Sequence, residues 1–253
     1  MIASGGKYFL SRTKMIALLT GMEATGDSGA KSLYLPPGLP PREIESSLAE
    51  VFSPQAVPDG LAKLSADSKT GSCLYRGTGR KIMALPPFPV AEKALLPGYD
   101  VAPLLSRLRT DFKIAFILVR LGAYAVGVCR GEALVHSKVG TGLVHGQHKK
   151  GGSSQSRFRR HREKQIEYFL GRVCARIQEH IMPEAGSLDY VVYGGAWTTL
   201  QLLEGQCPLV RQLKTPALPP LLDIPEPRHA VLTAAVKRIW SSYLVEWPED
   251  EES

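Results

Sequence analysis

The second half of the chain alternates short apolar runs with one long segment of helical periodicity. Residues 113–139 contain three apolar runs separated at Gly122 and Gly131, and the second break is a typical tight-turn signal. From about residue 156 to residue 181, apolar side chains recur every three or four positions. These side chains are Phe158, Ile166, Phe169, Leu170, Val173, Ile177 and Ile181. The pattern predicts a three-stranded meander followed by a long helix that packs its apolar stripe on the sheet.

The pattern continues to the carboxyl terminus. The run DYVVYGG at 189–195 reads as a buried strand, and AWTTLQLLEG reads as a helix that ends at Gly205. LVRQL at 209–213 is predicted as another strand, and an amphipathic helix is predicted from about 227 to 247. This order of elements is typical of an α/β fold with a mixed sheet flanked by helices.

The first half predicts a smaller α+β region over residues 28–108. It has a strand at KSLYL, a helix entered near Pro40 or Pro41, and a hairpin with Gly77 and Gly79 at its turn. VAPLLSRL, just before the meander, reads as a connecting helix. Residues 109–247 would form the α/β domain, 1–27 a disordered tail and 248–253 an acidic tail. An organelle transit peptide is the alternative for the first segment.

Composition adds three constraints. Of the 253 residues, 44% are hydrophobic and 22% are charged, as in ordinary globular proteins, and no apolar run reaches the length of a membrane span. The formal net charge of +7 favours an anionic partner such as nucleic acid. The four cysteines are far apart and form no CxxC pair, so we expect free thiols in a reducing cytoplasm. We also expect a monomer.

The stretch HKKGGSSQSRFRRHREK, residues 148–164, surrounds a polar tip with positive charge. Gly151 and Gly152 give the tip a backbone that can adopt positive φ angles. The basic residues on either side are Lys149, Lys150, Arg157, Arg159, Arg160 and Arg162. Positive charge at the start of a helix opposes the helix macrodipole, which favours a phosphate partner over a merely solvated face. We expect residues 145–156 to form a projecting loop.

A meander followed by a helix is also how a ribonuclease-H-like sheet begins. Nucleases of that fold need several carboxylates that converge on Mg²⁺. The predicted strands KIAFILV and AYAVGVC contain no acidic residue, and Glu132 stands by itself after a turn. The sequence therefore argues against a metal-dependent nuclease and predicts neither a metal site nor a cofactor.

The segment from KSLYLPPG to VKRIW resembles the eukaryotic and archaeal peptide chain release factors and their stalled-ribosome relatives. The resemblance includes GGSSQSRFRRHREKQIEYFLGRV, where those factors have a Gly-Gly-Gln loop followed by Arg-Phe and a basic helix. It is strongest to the Vms-like release factors (VLRF), whose loop carries Gly-x-x-Gln. Here that motif is Gly152-Ser153-Ser154-Gln155. The resemblance implies the ribonuclease-H-like middle domain of a release factor, preceded by a truncated amino-terminal region.

The resemblance implies peptidyl-tRNA ester hydrolysis in the peptidyl-transferase centre of the large ribosomal subunit. Gln155 would position water or the developing oxyanion, with Gly151 and Gly152 shaping the loop. The basic residues would contact phosphates of rRNA and tRNA without sequence specificity. The partners implied are the large subunit, rRNA and peptidyl-tRNA.

Two departures from the family pattern qualify this interpretation. Ser153 follows the glycine pair, where release factors have glutamine, and Gln147 is a competing glutamine just before the loop. We find no stop-codon-reading arm and no domain that would recruit a GTPase. The sequence therefore favours rescue of stalled large subunits that does not depend on a stop codon.

Two other functions stay open at this point. The chain could cut the tRNA acceptor end, with His148 or His161 as general base. It could also bind ribosomes or RNA without catalysis, in which case the Gly-Ser loop is a plain connector.

Overall fold

The computed structural model describes residues 6–27, 29–52, 57–58, 60–78, 81–144 and 155–247. They divide between two units, each built around its own sheet. The first unit is Met1–Thr110 together with Arg238–Ser253, and the second is Asp111–Lys237.

The first unit contains both strands and helices. Its elements up to residue 110 are β1 (Lys7–Leu10), α1 (Arg12–Glu23), β2 (Lys31–Leu35), α2 (Pro41–Val51), α3 (Leu61–Asp67), β3 (Ser72–Arg76), β4 (Lys81–Leu85), β5 (Ala94–Pro97) and α4 (Ala102–Arg109). α2 begins at Pro41. The first N–H groups of a helix have no acceptor within the helix, so a proline there costs no hydrogen bond. β3 and β4 pair antiparallel, with Cys73 opposite Ala84, so the predicted hairpin is confirmed. Its turn residue Gly79 lies outside the described residues.

The prediction of a disordered tail over residues 1–27 is wrong for residues 7–23, which form β1 and α1. α1 buries Met15, Leu19 and Met22, which are spaced at i, i+4 and i+7 and so share one helical face. The Tyr8 hydroxyl donates a hydrogen bond to Glu246 Oε2 at 2.7 Å. The apolar residues of this segment thus form the buried face of a short helix.

The second unit has the predicted meander and long helix. Its elements are β6 (Lys113–Arg120), β7 (Ala123–Arg130), β8 (Ala133–Thr141), α5 (Gln155–His180), β9 (Tyr190–Gly195), α6 (Trp197–Gln206), α7 (Pro208–Gln212) and α8 (His229–Ile239). The sheet order is β8-β7-β6-β9, with β6 and β9 parallel and the other pairs antiparallel. The α/β class with a mixed sheet is therefore confirmed.

One core cluster joins the helices of this unit to a face of the sheet. β6 contributes Ala115, Ile117 and Val119, and α5 contributes Phe169, Leu170, Val173 and Ile177. Ile181, directly after α5, belongs to the same cluster. Leu200 and Leu203 of α6 complete the same cluster. Alternate residues of a strand point to one face, which is why every second residue of β6 contacts the helices.

The predicted strand LVRQL is wrong, because Pro208–Gln212 form the short helix α7. Leu209 and Val210 still pack against the core, as a buried strand would. A short apolar run fits both structures, and periodicity does not distinguish them. Parallel bridges beside β9 come instead from Ala217 and Leu221, further along the chain.

The predicted final helix over 227–247 is wrong in its second half. α8 ends at Ile239, and Ser242–Trp247 form β10. β10 lies between β1 and β4 in the first unit, whose sheet order is β1-β10-β4-β3-β2-β5. The predicted α/β domain, 109–247, therefore included a strand of the other unit. Aromatic and branched residues in SYLVEW suit a strand, and Leu244 and Val245 are fully buried there.

The expectation of four free thiols is wrong. Cys174 of α5 and Cys207, between α6 and α7, form a disulfide with Cα atoms 5.5 Å apart. Cys73 and Cys129 are free and buried. The packing of α5 against α6 brings the two bonded cysteines together across 33 residues of sequence, which their spacing could not show. Within the described ranges, none of the helices is long and apolar enough to cross a membrane.

Candidate nucleic-acid interface

α5 is longer than the sheet on which it packs. From Ser156 onward, its first buried residue is Phe169, whose ring contacts Tyr124 near the start of β7 at a centroid distance of 6.2 Å. Tyr124 pairs with Gly140 of β8, so this contact lies at the edge of the sheet where β8 ends. Gln155 and Phe169 are 14 positions apart, which corresponds to about 20 Å of helix. The first turns of α5 therefore extend beyond that edge.

The extended part of α5 is strongly basic. Arg157, Arg159 and Arg160 are exposed, and Arg162 is half-buried. Residues 155–158, the first turn, include no acidic side chain. The Arg159 guanidinium lies 3.7 Å from the Glu163 carboxylate, and both side chains are mostly exposed, at 73% and 63%. Such a surface pair contributes little to stability, so Arg159 can exchange it for a phosphate at small cost.

Phe158 was predicted to belong to the buried stripe, and this is wrong: its side chain is 63% exposed. The helical spacing is correct, but at this point α5 has extended beyond the sheet, and the described residues do not bury the ring. An exposed aromatic ring among arginines can stack on a nucleic-acid base. The feature of the sequence that indicates base stacking by Phe158 is its position between Arg157 and Arg159.

The residues proposed for the loop tip lie mostly outside the described residues. Gly151, Gly152, Lys149 and Lys150 fall there, as does the competing Gln147. Gln155 is the first residue of α5, so residues 155 and 156 are helical rather than the last two loop residues. The backbone of Gln155 is two positions from Arg157, which joins the candidate catalytic residue directly to the basic helix.

Trp197 is a further exposed aromatic residue near this edge. β6, β8 and β9 run in the same direction, so the chain leaves all three strands at one edge of the sheet. Trp197 begins α6 two residues after β9 ends, and it is 56% exposed. The edge from which α5 extends therefore also presents a large aromatic surface.

Acidic residues lie near the opposite edge of the sheet, where β6 begins. The sequences of β6, β7 and β9 contain no Asp or Glu. At the start of β6, the Lys113 ammonium pairs with the Glu184 carboxylate, and this contact lowers the pKa of Glu184. The Lys113 amide donates a hydrogen bond to Asp189 Oδ2 at 2.7 Å. Within the part of the chain that the structure describes, no three His, Cys, Asp or Glu side chains are grouped to hold a metal ion.

Comparison with known proteins supports a translation factor. The family described as Actinobacteria/chloroflexi VLRF1 release factor matches residues 113–245, more than half of the chain. Peptide chain release factor subunit 1 of Aeropyrum pernix is 28% identical over 225 residues, which are 76% of this chain and 59% of that protein. The chain therefore spans about three fifths of the length of that relative.

Two solved structures are also similar to this chain. An archaeal translation termination factor, aRF1, is 19% identical to this chain, with a TM-score of 0.39. The match covers 90% of this chain and 73% of the aRF1 chain. Pelota of Archaeoglobus fulgidus is 11% identical to this chain, with a TM-score of 0.29. The match covers 95% of this chain and 64% of the Pelota chain. The family match extends from the first residue of β6 into β10 and includes the basic helix, which confirms the resemblance seen in the sequence. The chain belongs to the VLRF1 release factor family of Actinobacteria and Chloroflexi.

Proposed function

We propose that this protein hydrolyses peptidyl-tRNA on large ribosomal subunits in the cytoplasm, without reading a stop codon. The observation that carries the proposal is the basic start of α5, which extends beyond the sheet and directly follows residues 145–154. Membership of a release factor family supports peptidyl-tRNA as the substrate that this basic segment contacts.

The arginines supply binding. Arg157, Arg159 and Arg160 are exposed on a rigid helix and face no sheet. Cationic side chains that neutralise phosphates release counterions, which gives affinity without sequence specificity. In our proposal these residues, with Lys149 and Lys150, contact rRNA and the acceptor arm of the tRNA.

Gln155 supplies the polar group for the reaction. An amide is neutral and offers both donors and an acceptor, so it can orient water beside the ester or stabilise the oxyanion. The water oxygen forms a bond to the ester carbonyl carbon, the bond to the terminal ribose oxygen breaks, and that oxygen receives a proton. Gly151 and Gly152 would allow the backbone turn that brings the amide to the ester. The proposed reaction uses no cofactor.

The test uses purified large subunits that carry peptidyl-tRNA and no small subunit. The wild-type protein should release the peptide and leave a full-length tRNA with a free 3′ end. Gln155→Ala should bind subunits normally and slow release by about 10²- to 10³-fold, as for loss of one oxyanion-stabilising group. Gln155→Glu should be similarly slow, because it loses the amide donor and adds a negative charge.

Gln147→Ala is the matched control and should release peptide near the wild-type rate. If Gln147→Ala is inactive and Gln155→Ala is active, the role belongs to Gln147. A shortened tRNA would contradict ester hydrolysis and indicate an endonuclease, with His148→Ala and His161→Ala as the next variants. An unchanged peptidyl-tRNA would indicate a binding protein.

A further inference from the structure

An open groove lies along α5 on the carboxyl-terminal side of its basic start. It has a volume of about 640 Å³. Its wall on α5 includes Lys164, Tyr168, Gly171 and Arg172, and Gln206 at the end of α6 contributes the other wall. The Cys174–Cys207 disulfide joins the two walls, since Cys207 follows Gln206 directly. A covalent link therefore fixes the position of one wall of the groove relative to the other.

Tyr168 presents an aromatic ring to solvent in this groove. Its side chain is 72% exposed, whereas Phe169 beside it is 1% exposed and packs in the core. Gly171 lies one helical turn further on, and a Cβ at that position would meet no other atom within 4 Å. Among the described residues the space next to Tyr168 is thus open, and a flat ligand can approach its ring.

Positive charges lie on both sides of this ring. Lys164 and Arg172 are each four residues from Tyr168, so each is about 6 Å away along the helix axis and on the same side of the helix. Arg172 Nη1 donates a hydrogen bond to the Thr141 carbonyl oxygen at 3.1 Å, which orients its guanidinium at the end of β8. An aromatic ring between two cations matches a base between its two phosphates.

We infer that this groove binds an unpaired nucleotide of ribosomal RNA. The base stacks on Tyr168, and the phosphates on either side pair with Lys164 and Arg172. Glu167 also lines the groove, and its carboxylate would repel a phosphate but accept a hydrogen bond from an exocyclic amino group. Bases with such a group, adenine among them, are therefore favoured over uracil.

The choice of ribosomal RNA over tRNA rests on the function proposed above. Gln155 and Tyr168 are separated by 13 residues, or about 20 Å of helix. At roughly 3.4 Å per stacked nucleotide this distance corresponds to about six nucleotides. About six nucleotides are more than the unpaired acceptor end of a tRNA contains. If the ester of a tRNA lies at Gln155, the tRNA bases that reach Tyr168 are therefore paired.

The test measures binding of a fluorescently labelled oligoadenylate to the full chain by anisotropy, at physiological ionic strength. Tyr168→Ala and Tyr168→Leu should each weaken binding about tenfold, while Tyr168→Phe, which keeps the ring, should bind like the wild type. Oligouridylate should bind the wild type more weakly than oligoadenylate. Phe9→Ala is the matched control, because Phe9 is also 72% exposed but belongs to the first unit. It should bind like the wild type.

Equal binding by wild type, Tyr168→Ala and Tyr168→Leu would overturn the inference. Co-sedimentation with large subunits and binding to deacylated tRNA then identify the source of the nucleotide. Tyr168→Ala should weaken subunit binding, and a loss confined to tRNA would overturn the ribosomal assignment. Peptide release is not a readout here, so a failure of the proposed hydrolysis would leave these results interpretable.

Discussion

The ring of Phe169 lies against Gly142 so closely that a Cβ at residue 142 would be 2.7 Å from Phe169 Cδ2. Gly142 follows the last residue of β8, and Phe169 is the first buried side chain of α5 after Ser156. This contact marks the point where the helix meets the sheet. Gly142 has no positive φ angle, so close packing rather than backbone conformation requires glycine there.

Gly142→Ala should therefore destabilise the fold. The added methyl group meets a buried ring that cannot move without disturbing the core, and overpacking of this kind typically costs about 1–3 kcal/mol. Gly171→Ala is the matched control, since its methyl group meets nothing within 4 Å and helix propensity favours Ala by about 1 kcal/mol. Urea unfolding should place the two variants on opposite sides of the wild type. Equal stabilities would contradict the packing argument.

Replacing Arg159, Arg160 and Arg162 together with Ala should weaken ribosome binding and reduce its salt dependence. Each lost phosphate contact should lower the slope of log K against log salt by roughly 0.7–0.9. The fold should survive, because Arg159 and Arg160 are exposed, Arg162 is only half-buried, and the buried residues of α5 begin at Phe169. A triple replacement of Arg42, Lys63 and Lys69, exposed in the first unit, is the control for net charge. If both triple variants lose affinity equally, net charge rather than the basic helix accounts for binding.

Reduction of the Cys174–Cys207 disulfide should lower the free energy of unfolding by roughly 3–4 kcal/mol. The estimate follows from the loop-closure entropy for a separation of 33 residues. Urea unfolding with and without dithiothreitol measures the difference. The double variant Cys174→Ala, Cys207→Ala should not respond to the reductant. A response of that variant would indicate that the reductant acts elsewhere.

Glu184 should make stability depend on acidic pH. The Lys113 ammonium holds its pKa below the ordinary value, with a smaller contribution from His136, whose Nε2 is 3.7 Å from the carboxylate. The folded state therefore favours the ionised form. This stabilisation is complete above the unfolded pKa of about 4.3 and is lost as pH falls through the lower folded pKa.

The unfolding midpoint in urea, measured from neutral pH to acid, tests this dependence. Glu184→Gln should be less stable than the wild type at neutral pH, and the difference should shrink below about pH 4. Glu132→Gln, at the exposed turn between β7 and β8, should follow the wild-type curve. A constant difference between Glu184→Gln and the wild type across this range would contradict the argument.

The sequence predicted the elements whose periodicity extends over many residues. The meander was predictable because its apolar runs are divided by turn signals at Gly122 and Gly131, and α5 because its helical pattern continues over about 25 residues. LVRQL and SYLVEW were assigned wrongly, because a segment of five or six residues with a few apolar positions fits a helix and a strand equally well. The neighbours of the segment in space decide between them. Only the folded chain shows that β4 accepts SYLVEW as a partner.

The sequence predicted which residues belong to the candidate site, but not which of them are exposed or lie next to one another. The arginines and the Gly-x-x-Gln motif are visible in the sequence, and the helical pattern placed Phe158 on the apolar stripe. That Phe158 is exposed follows from the lengths of α5 and the sheet, which periodicity does not report. Tyr168 and Gln206 approach one another through the packing of α5 on α6, and a single sequence contains no signal of that contact.

The position of β10 has a consequence for how the chain folds during its own synthesis. In the described sheet, the strand partner of β1 is β10, and β10 also pairs with β4. The whole of Asp111–Lys237 is thus an insertion between β5 and the strand that completes the first sheet. The inserted unit can fold as soon as its own last helix is made. The amino-terminal strand must remain unpaired with its partner until residue 247 has left the ribosome, so the first unit to be translated is the last to be finished.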